Sequence, residues 1–205
     1  MNTWAVTLLT TGAFAHGLGY YIYHRQTRRN ASKPNPASWF IWSFIAILNA
    51  FSFDRMGKSP IDALQFYVGS IACVATFVAA VAMGKVEKPK AQEWKILGIG
   101  LVAVAAWVFF KDARLGNYIG LVAYLVSFWP TLCGVFKDPN VETPGSWMIW
   151  TFSNGCTFLA MIIQGKWFSV LTPAVFLVSH ALVAQLCSSE RKQAFRDAAR
   201  YYQAY

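Results

Sequence analysis

The sequence predicts an all-α membrane protein with seven transmembrane helices. Of its 205 residues, 56% are hydrophobic and only 13% are charged, whereas soluble domains carry about 25% charged residues. The charged residues cluster between seven apolar runs, each close to the roughly 20 residues that a membrane-spanning helix needs. In addition, a nine-residue pattern occurs twice, as PASWFIWSF at 36–44 and PGSWMIWTF at 144–152. This self-similarity predicts an internal repeat.

The length of each apolar run, together with the helix-stopping residues between runs, places the seven helices. Pro, Gly and charged residues fill the connections KPNP at 33–36, GKSP at 57–60 and KDPNVETP at 137–144. The predicted helices cover residues 3–23, 37–53, 60–83, 95–110, 116–136, 146–163 and 167–187. The basic tail at 188–205 is predicted to form a short helix at the membrane surface. Because the first apolar run is about as long as a full span, no cleavable signal peptide is expected.

The distribution of Lys and Arg predicts the orientation. Thirteen of these residues lie in the tail and in the loops after helices one, three and five, and five lie on the opposite side. The positive-inside rule then puts the N-terminus outside and the tail in the cytoplasm (N-out, C-in). We expect a multi-pass protein of the plasma (inner) membrane. The net charge of +9 is assigned to topology rather than to a nucleic-acid partner, because the basic residues occupy short loops.

A shift of 108 residues superposes the two copies of the PxSWxIW pattern. Helix two then falls on helix six, helix three on helix seven, and helix one roughly on helix five. Three crossings are an odd number, so the additional helix four is needed for both copies to start at the same membrane face. We therefore expect a 3+1+3 parallel repeat, with three-helix units at 1–84 and 114–187, a linker helix at 85–113 and a cytoplasmic tail at 188–205.

This plan, with a motif repeated at the cytoplasmic start of the second helix of each unit, resembles the PQ-loop superfamily, which includes the SWEET and SemiSWEET transporters. In the second unit, Pro130-Thr131, Lys137 and Gly145-Ser146 follow the family's layout of Pro-Gln, a basic residue and a Gly-x-Ser pair. Thr131 departs from the usual Gln, and the first unit has Ile22 where a Pro is usual. The resemblance implies a carrier that works by alternating access, with a sugar as the first expected solute.

The second helix of each unit carries aromatic and polar residues on one face. Trp42 and Asn49 are seven residues apart, and Trp150, Asn154 and Thr157 follow one another at i, i+4 and i+7. We expect the two faces to enclose a mid-membrane cavity for a small neutral solute, with stacking on Trp and hydrogen bonds to the amides. Trp39 and Trp147, in the first turns of these helices, are expected to be interfacial anchors rather than ligand contacts. The alternative for Asn is hydrogen bonding to a neighbouring helix.

Three prolines and two histidines complete the candidate site. Pro130 is predicted to kink helix five and to act in a gate, because proline removes one i→i−4 hydrogen bond. Pro36 and Pro144, at the starts of helices two and six, are further hinge candidates. His16 and His180 lie deep in predicted spans, so they are candidates for a proton relay, the alternative being a hydrogen bond to a carbonyl or hydroxyl. None of the nine acidic residues is placed mid-span, which favours a passive facilitator.

Neither catalysis nor a cofactor is predicted. Cys73, Cys133, Cys156 and Cys187 lack C-x-x-C spacing and are interpreted as packing residues, not as metal ligands or a disulfide framework. No paired carboxylates or nucleophile–base arrangement occur, so an enzyme is not expected. The alternatives to a sugar facilitator are a PnuC-like vitamin or nucleoside carrier, a receptor of the KDEL-receptor type, and a scaffold protein. The expected partners are the solute and the lipid bilayer, and a homo-oligomer stays open.

Overall fold

Helices account for the regular structure of the chain. The computed structural model describes residues 2–32, 36–56, 59–82 and 91–203. Eight α-helices occur in these ranges, and no strand does: α1 (Thr3–Arg28), α2 (Pro36–Met56), α3 (Leu64–Ala82), α4 (Ala91–Phe110), α5 (Ala113–Lys137), α6 (Pro144–Ile163), α7 (Trp167–Leu186) and α8 (Ser189–Gln203). Two 3₁₀ turns, Pro60–Ala63 and Pro139–Val141, precede α3 and α6.

Helices occur at all seven predicted positions, and the tail is helical as α8. Most run past the predicted ends, because the prediction followed apolar length while a helix continues into polar sequence until something stops it. Thus α1 extends to Arg28, and side chains of Asn2 and Asp112 cap the starts of α1 and α5 by accepting from backbone N–H groups. The predicted boundary between residues 84 and 85 lies outside the described residues.

Four helical segments of the described chain are long and apolar enough to cross a membrane: Pro60–Ala82, Ala113–Lys137, Pro144–Ile163 and Trp167–Leu186. Helices α1, α2 and α4 have 26, 21 and 20 residues, which is a sufficient length for a span. In α1 the apolar residues are interrupted by threonines, glycines and His16, which lowers its hydropathy. The protein is therefore all-helical, with four candidate membrane spans in the described ranges.

Six helices pack in a ring. Around the ring the order is α1, α3, α2, α5, α7 and α6, and α1 closes it by packing against α6. Helix α4 lies outside the ring, against α5 and α2. We call α1–α3 the first unit and α5–α7 the second unit. The two units meet along two seams, where α1 packs on α6 and where α2 packs on α5.

Both copies of the repeated pattern start at the same end of the bundle. Tyr23, near the end of α1, packs against Trp39 of α2 and Trp147 of α6, with ring centroids 5.2 and 6.3 Å apart. The tail joins this end, because Lys192 Nζ of α8 donates to the backbone oxygen of Glu142 just before α6, at 2.6 Å. We call it the tail-side end. The opposite end, which we call the far end, begins α1 and α3 and ends α2 and α6.

A second apolar cluster packs the far end. It is formed by buried residues from α1, α2, α3, α6 and the 3₁₀ turn before α3: Ala5, Leu9, Ala50, Phe53, Ala63, Phe66, Ala160 and Met161. A buried ion pair between Asp62 and Lys166 adds a contact between the units at this end. The far end is thus held by apolar packing and one ion pair, and the tail-side end by aromatic rings.

Candidate functional site

A cavity of about 60 Å³ lies at the centre of the ring and is lined by residues of all six ring helices. Since one water molecule needs roughly 10–15 Å³, the cavity has room for a few waters. Its walls are mainly aromatic: Tyr20, Trp39, Trp42, Phe66, Tyr124, Phe128, Trp147, Trp150 and Phe176. Among the described residues that line it, none is Asp, Glu, Lys or Arg. The site is therefore a neutral, aromatic chamber between the two units.

The repeated pattern supplies four of these rings. Trp39 and Trp42 are three residues apart on α2, as are Trp147 and Trp150 on α6, so each pair shares one helical face. In both pairs the ring centroids are 5.1 Å apart and the rings meet edge to face, at 78° and 83°. All four are at most 8% exposed. The two copies thus present the same pair of indoles to the cavity.

Three of the indole N–H groups already donate hydrogen bonds to acceptors within the protein. Trp42 Nε1 donates to Ser127 Oγ at 2.8 Å. Trp150 Nε1 donates to the backbone oxygen of His16 at 3.2 Å. Trp147 Nε1 donates to Glu142 at 3.2 Å. Because these donors are satisfied, the indoles offer the cavity apolar ring surface rather than hydrogen bonds.

Asn49, a predicted substrate contact, lines the cavity and is 1% exposed. Its Oδ1 accepts from Asn117 Nδ2 at 3.3 Å. Asn117 is held in turn by Ser52 and Thr172, with Thr172 Oγ1 donating to its Oδ1 at 2.6 Å. Asn49 Nδ2 has no partner among the described residues. A buried donor is therefore left available at the cavity wall.

Tyr124 provides a second unpaired polar atom, which the sequence reasoning missed. It lines the cavity, is 7% exposed, and stacks on Phe176 with centroids 4.1 Å apart. Its hydroxyl has no partner in the described part of the chain. Nothing in the residues around Tyr124 distinguishes it from the other aromatic positions of α5, and its role becomes visible only through the order of helices in the ring.

Asn154 and Thr157 were also predicted as substrate contacts, but the structure places neither in the cavity wall. Gln65 of α3 donates from Nε2 to Asn154 Oδ1 at 2.8 Å, and its Oε1 accepts from Thr157 Oγ1 at 2.5 Å. Asn154 Nδ2 donates to the backbone oxygen of Trp150 at 2.8 Å. This arrangement is the helix–helix hydrogen bonding that was the alternative for Asn. A contact of Asn154 or Thr157 with a solute stays a prediction.

His16 and His180 both line the cavity. His16 Nδ1 lies 3.1 Å from Ser153 Oγ, and His180 Nδ1 donates to the backbone oxygen of Phe176 at 2.6 Å. Each histidine thus has a hydroxyl or carbonyl partner. Their participation in a proton relay stays a prediction.

The candidate hinge prolines occupy two kinds of position. Pro130 lies inside α5, which is helical on both sides of it. Pro36 and Pro144 are the first residues of α2 and α6, where a missing N–H leaves no helical hydrogen bond unmade. A further proline, Pro173, is buried inside α7 and was not singled out, although it lies in the middle of a predicted helix. The kink and gate roles stay predictions.

Two buried carboxylates flank the cavity, one at each end. Asp62 is paired with Lys166 at the far end. At the tail-side end, Glu142 accepts from Tyr23 Oη at 2.9 Å and from Trp147 Nε1 at 3.2 Å. Burial raises the pKa of the Glu142 carboxyl, while those hydrogen bonds and the charge of Lys192 oppose the increase. Asp62 and Lys166 are 104 residues apart, and Tyr23 and Glu142 are 119 residues apart, so sequence spacing gave no signal for either contact.

The four cysteines form no disulfide with one another. All four cysteines are free thiols. Within the described ranges, no group of three or more His, Cys, Asp or Glu residues could hold a metal ion.

Comparison with known proteins assigns the chain to no family. No protein-family model, no curated protein and no solved structure matches the chain.

Proposed function

We propose that the protein is a membrane transporter, a facilitator that carries a small neutral solute by alternating access. The observation that supports this most directly is the central cavity, which lies between two three-helix units and takes its walls from both copies of the repeated pattern. A neutral aromatic chamber at the boundary of two units suits a solute that is held loosely and released to either side.

A seven-span, N-out/C-in arrangement of the 3+1+3 type, as in the PQ-loop superfamily, belongs to this proposal. The packing of the ring supports it. Exchanging α1, α2 and α3 with α5, α6 and α7 turns every neighbour pair of the ring into another neighbour pair, because α1–α6 becomes α5–α2 and α1–α3 becomes α5–α7. Such an exchange is expected of a two-fold axis through the cavity. The common starting end of the two patterns is consistent with the same axis.

Contacts between the units on both sides of the cavity support alternating access. At the far end, Asp62 of the first unit pairs with Lys166 of the second. At the tail-side end, Tyr23 of the first unit donates to Glu142, which leads into the second. If one set of contacts opens while the other holds, the cavity is exposed to one side only. Both sets of contacts are formed in the structure, and the small cavity volume supports assigning it to the closed state of the proposed cycle.

A passive mechanism is proposed because the cavity lining contains no carboxylate, and ion-coupled carriers commonly use an embedded one. The test is uptake of solutes into liposomes with and without an imposed pH gradient. We expect the solute to equilibrate and its rate to depend on Trp42. Accumulation above the outside concentration that is lost when His16 and His180 are both changed to Gln would overturn the facilitator and assign a proton relay to the histidines.

The second candidate is a carrier of a ring-containing vitamin or nucleoside. One observation, the predominance of aromatic walls, favours such a solute over a sugar. A receptor for a charged peptide tail is less well supported, because the lining offers no fixed charge to pair with it. The same liposome assay, run with a sugar and with a nucleoside, separates the two transport candidates. We propose the plasma (inner) membrane as the location.

A further inference from the structure

We infer that the central cavity selects a single flat aromatic ring that carries one hydrogen-bonding substituent, and that it discriminates against polyols such as sugars. This inference rests on the proposed transport function and names the class of solute. It follows from three properties of the cavity: the number of unpaired polar atoms in its wall, its volume and the arrangement of its rings.

The cavity wall has few polar atoms to offer. The indole N–H groups of Trp42, Trp147 and Trp150 are already bonded within the protein. The hydroxyl of Tyr20 is also occupied, since it lies 2.9 Å from Cys73 Sγ. A sugar brings several hydroxyls, and each one that is desolvated without a partner weakens binding by about 5- to 150-fold.

Two buried polar atoms of the wall have no partner among the described residues, Asn49 Nδ2 and Tyr124 Oη. Even with the second ring nitrogens of His16 and His180 added, these groups are too few for the hydroxyls of a monosaccharide. They do suit one substituent. Asn49 Nδ2 is a donor, and the phenol oxygen of Tyr124 can donate or accept.

The two unpaired atoms belong to different units, and Asn49 approaches the face of α5 that carries Tyr124. Asn49 Oδ1 lies 3.5 Å from the point where a Cβ would stand at Gly120 of α5. Tyr124 is four residues further along α5 and therefore on the same face as Gly120. A carboxamide suits either unpaired atom, because its carbonyl can accept from Asn49 and its N–H can donate to Tyr124.

The volume favours a small ring. The cavity measures about 60 Å³, whereas a dry engineered cavity of roughly 150 Å³ accommodates benzene. The walls must already yield for one ring, and a nucleoside, with its additional ribose, requires a larger displacement. Trp42 already stacks on Phe128, and Tyr124 on Phe176, both at 29°, so a solute meets only the outer faces and the edges of these rings. A flat ring makes more contact with such aromatic faces and edges than a puckered ring does.

The test is direct binding to the purified full-length chain, measured by equilibrium dialysis with radiolabelled benzamide. Cyclohexanecarboxamide, which has the same amide on a puckered ring, and D-glucose are the competitors. We expect benzamide to bind, cyclohexanecarboxamide to compete at least about tenfold less well, and glucose not to compete. Since a hydrogen bond is lost in each case, Tyr124→Phe and Asn49→Leu should each raise the Kd for benzamide by about 2- to 12-fold.

The control is Tyr21→Phe, which removes a hydroxyl from a tyrosine that is 59% exposed and should leave the Kd unchanged. Tyr124→Phe removes an oxygen without a protein partner, so it keeps the fold even if Asn49→Leu does not. Absence of benzamide binding, equal Kd values for Tyr124→Phe and Tyr21→Phe, or stronger binding of glucose would overturn the inference.

Glucose uptake into liposomes separates this inference from the transport proposal on which it rests. Binding rather than uptake is used for benzamide, because small uncharged aromatic amides cross bilayers unaided. Glucose uptake that requires Trp42 would overturn the ring class and support the carrier. Benzamide binding that needs Tyr124, with neither glucose nor a nucleoside carried, would support the ring class; the carrier is then overturned if stopped-flow exchange of benzamide is no faster in liposomes that contain the protein than in protein-free liposomes.

Discussion

Gln65 on α3 joins the two units by donating from Nε2 to Oδ1 of Asn154 on α6, at 2.8 Å. The other end of the same amide accepts from Thr157 Oγ1. All three side chains are at most 1% exposed, so none of these polar atoms can turn to water instead. These two hydrogen bonds therefore couple the first unit to the second at a point between the cavity and the far end.

Gln65→Leu removes both hydrogen bonds and leaves two buried polar groups without a partner. We expect the free energy of unfolding to fall by about 1–3 kcal/mol, measured as the thermal or denaturant midpoint of the purified protein. Gln185→Leu, at an exposed position near the end of α7, is the matched control. It should change the free energy of unfolding by less than about 0.5 kcal/mol. Equal losses in the two variants would mean that the bridge contributes nothing.

Gly19→Ala tests the close approach of α1 and α6. A Cβ at Gly19 would lie 2.5 Å from Trp150 Nε1 and 2.6 Å from its Cδ1, so the indole has to leave its position. We expect a loss of about 1–3 kcal/mol in unfolding free energy and a changed tryptophan fluorescence. Gly98→Ala on α4 is the control, because a Cβ there meets nothing within 4 Å. Indistinguishable spectra and stabilities in the two variants would contradict the packing of Trp150 on α1.

The ion pair of Asp62 with Lys166 is suited to a double-mutant cycle. The Asp62 side chain is 0% exposed and that of Lys166 19%, so Asp62→Asn or Lys166→Gln breaks a largely buried pair. Breaking such a pair costs about 3–5 kcal/mol, and the partial exposure of Lys166 favours the lower value. The loss of unfolding free energy in the double variant should be smaller than the sum of the losses in the two single variants.

The control for that cycle is the pair of Asp197 and Arg200 on α8, whose side chains are 56% and 78% exposed. Asp197→Asn should cost less than about 1 kcal/mol. Additive losses for Asp62→Asn and Lys166→Gln would show that the two residues do not interact in solution.

Glu142 predicts a pH dependence of stability. Burial raises the pKa of its carboxyl above the usual 4.5, so the folded protein holds this proton more tightly than the unfolded chain does. The stabilising contribution is therefore complete below the unfolded pKa and is lost as the pH rises through the folded one. The other titratable or charged groups around this carboxyl are Tyr23 on α1, Cys187 at the end of α7 and Lys192 on α8.

We expect the wild type to lose unfolding free energy, relative to Glu142→Gln, as the pH is raised from about 4 to 8. Unfolding midpoints at several pH values measure this difference. Glu190→Gln, which changes an exposed carboxylate at the start of α8, should follow the wild type. A pH profile of Glu142→Gln that is parallel to that of the wild type would exclude a linked proton at this residue.

The positions of the helices, and the inward faces of Trp42 and Trp150, could be predicted because both depend on local information, whereas Trp39 and Trp147 were expected to be interfacial anchors and instead line the cavity. Apolar length determines where a span can lie, and the i, i+3 spacing alone puts Trp39 and Trp42 on one face. Asn154 could not be assigned in this way. Its amide faces Gln65, 89 residues away in the sequence, and this partner, rather than helical periodicity, keeps it out of the cavity wall. Tyr124 and Glu142 were missed for the same reason.

The pairing of α1 with α6 has a consequence for how the chain is assembled in a cell. His16 finds its partner Ser153 137 residues later in the sequence. At a synthesis rate of about 5–20 residues per second, α1 waits about 7–27 s for that hydroxyl. During this interval its glycine-lined surface and its imidazole have no α6 to pack against. Helix α1 is thus made long before its neighbour α6, and the ring closes only when the second unit has been made.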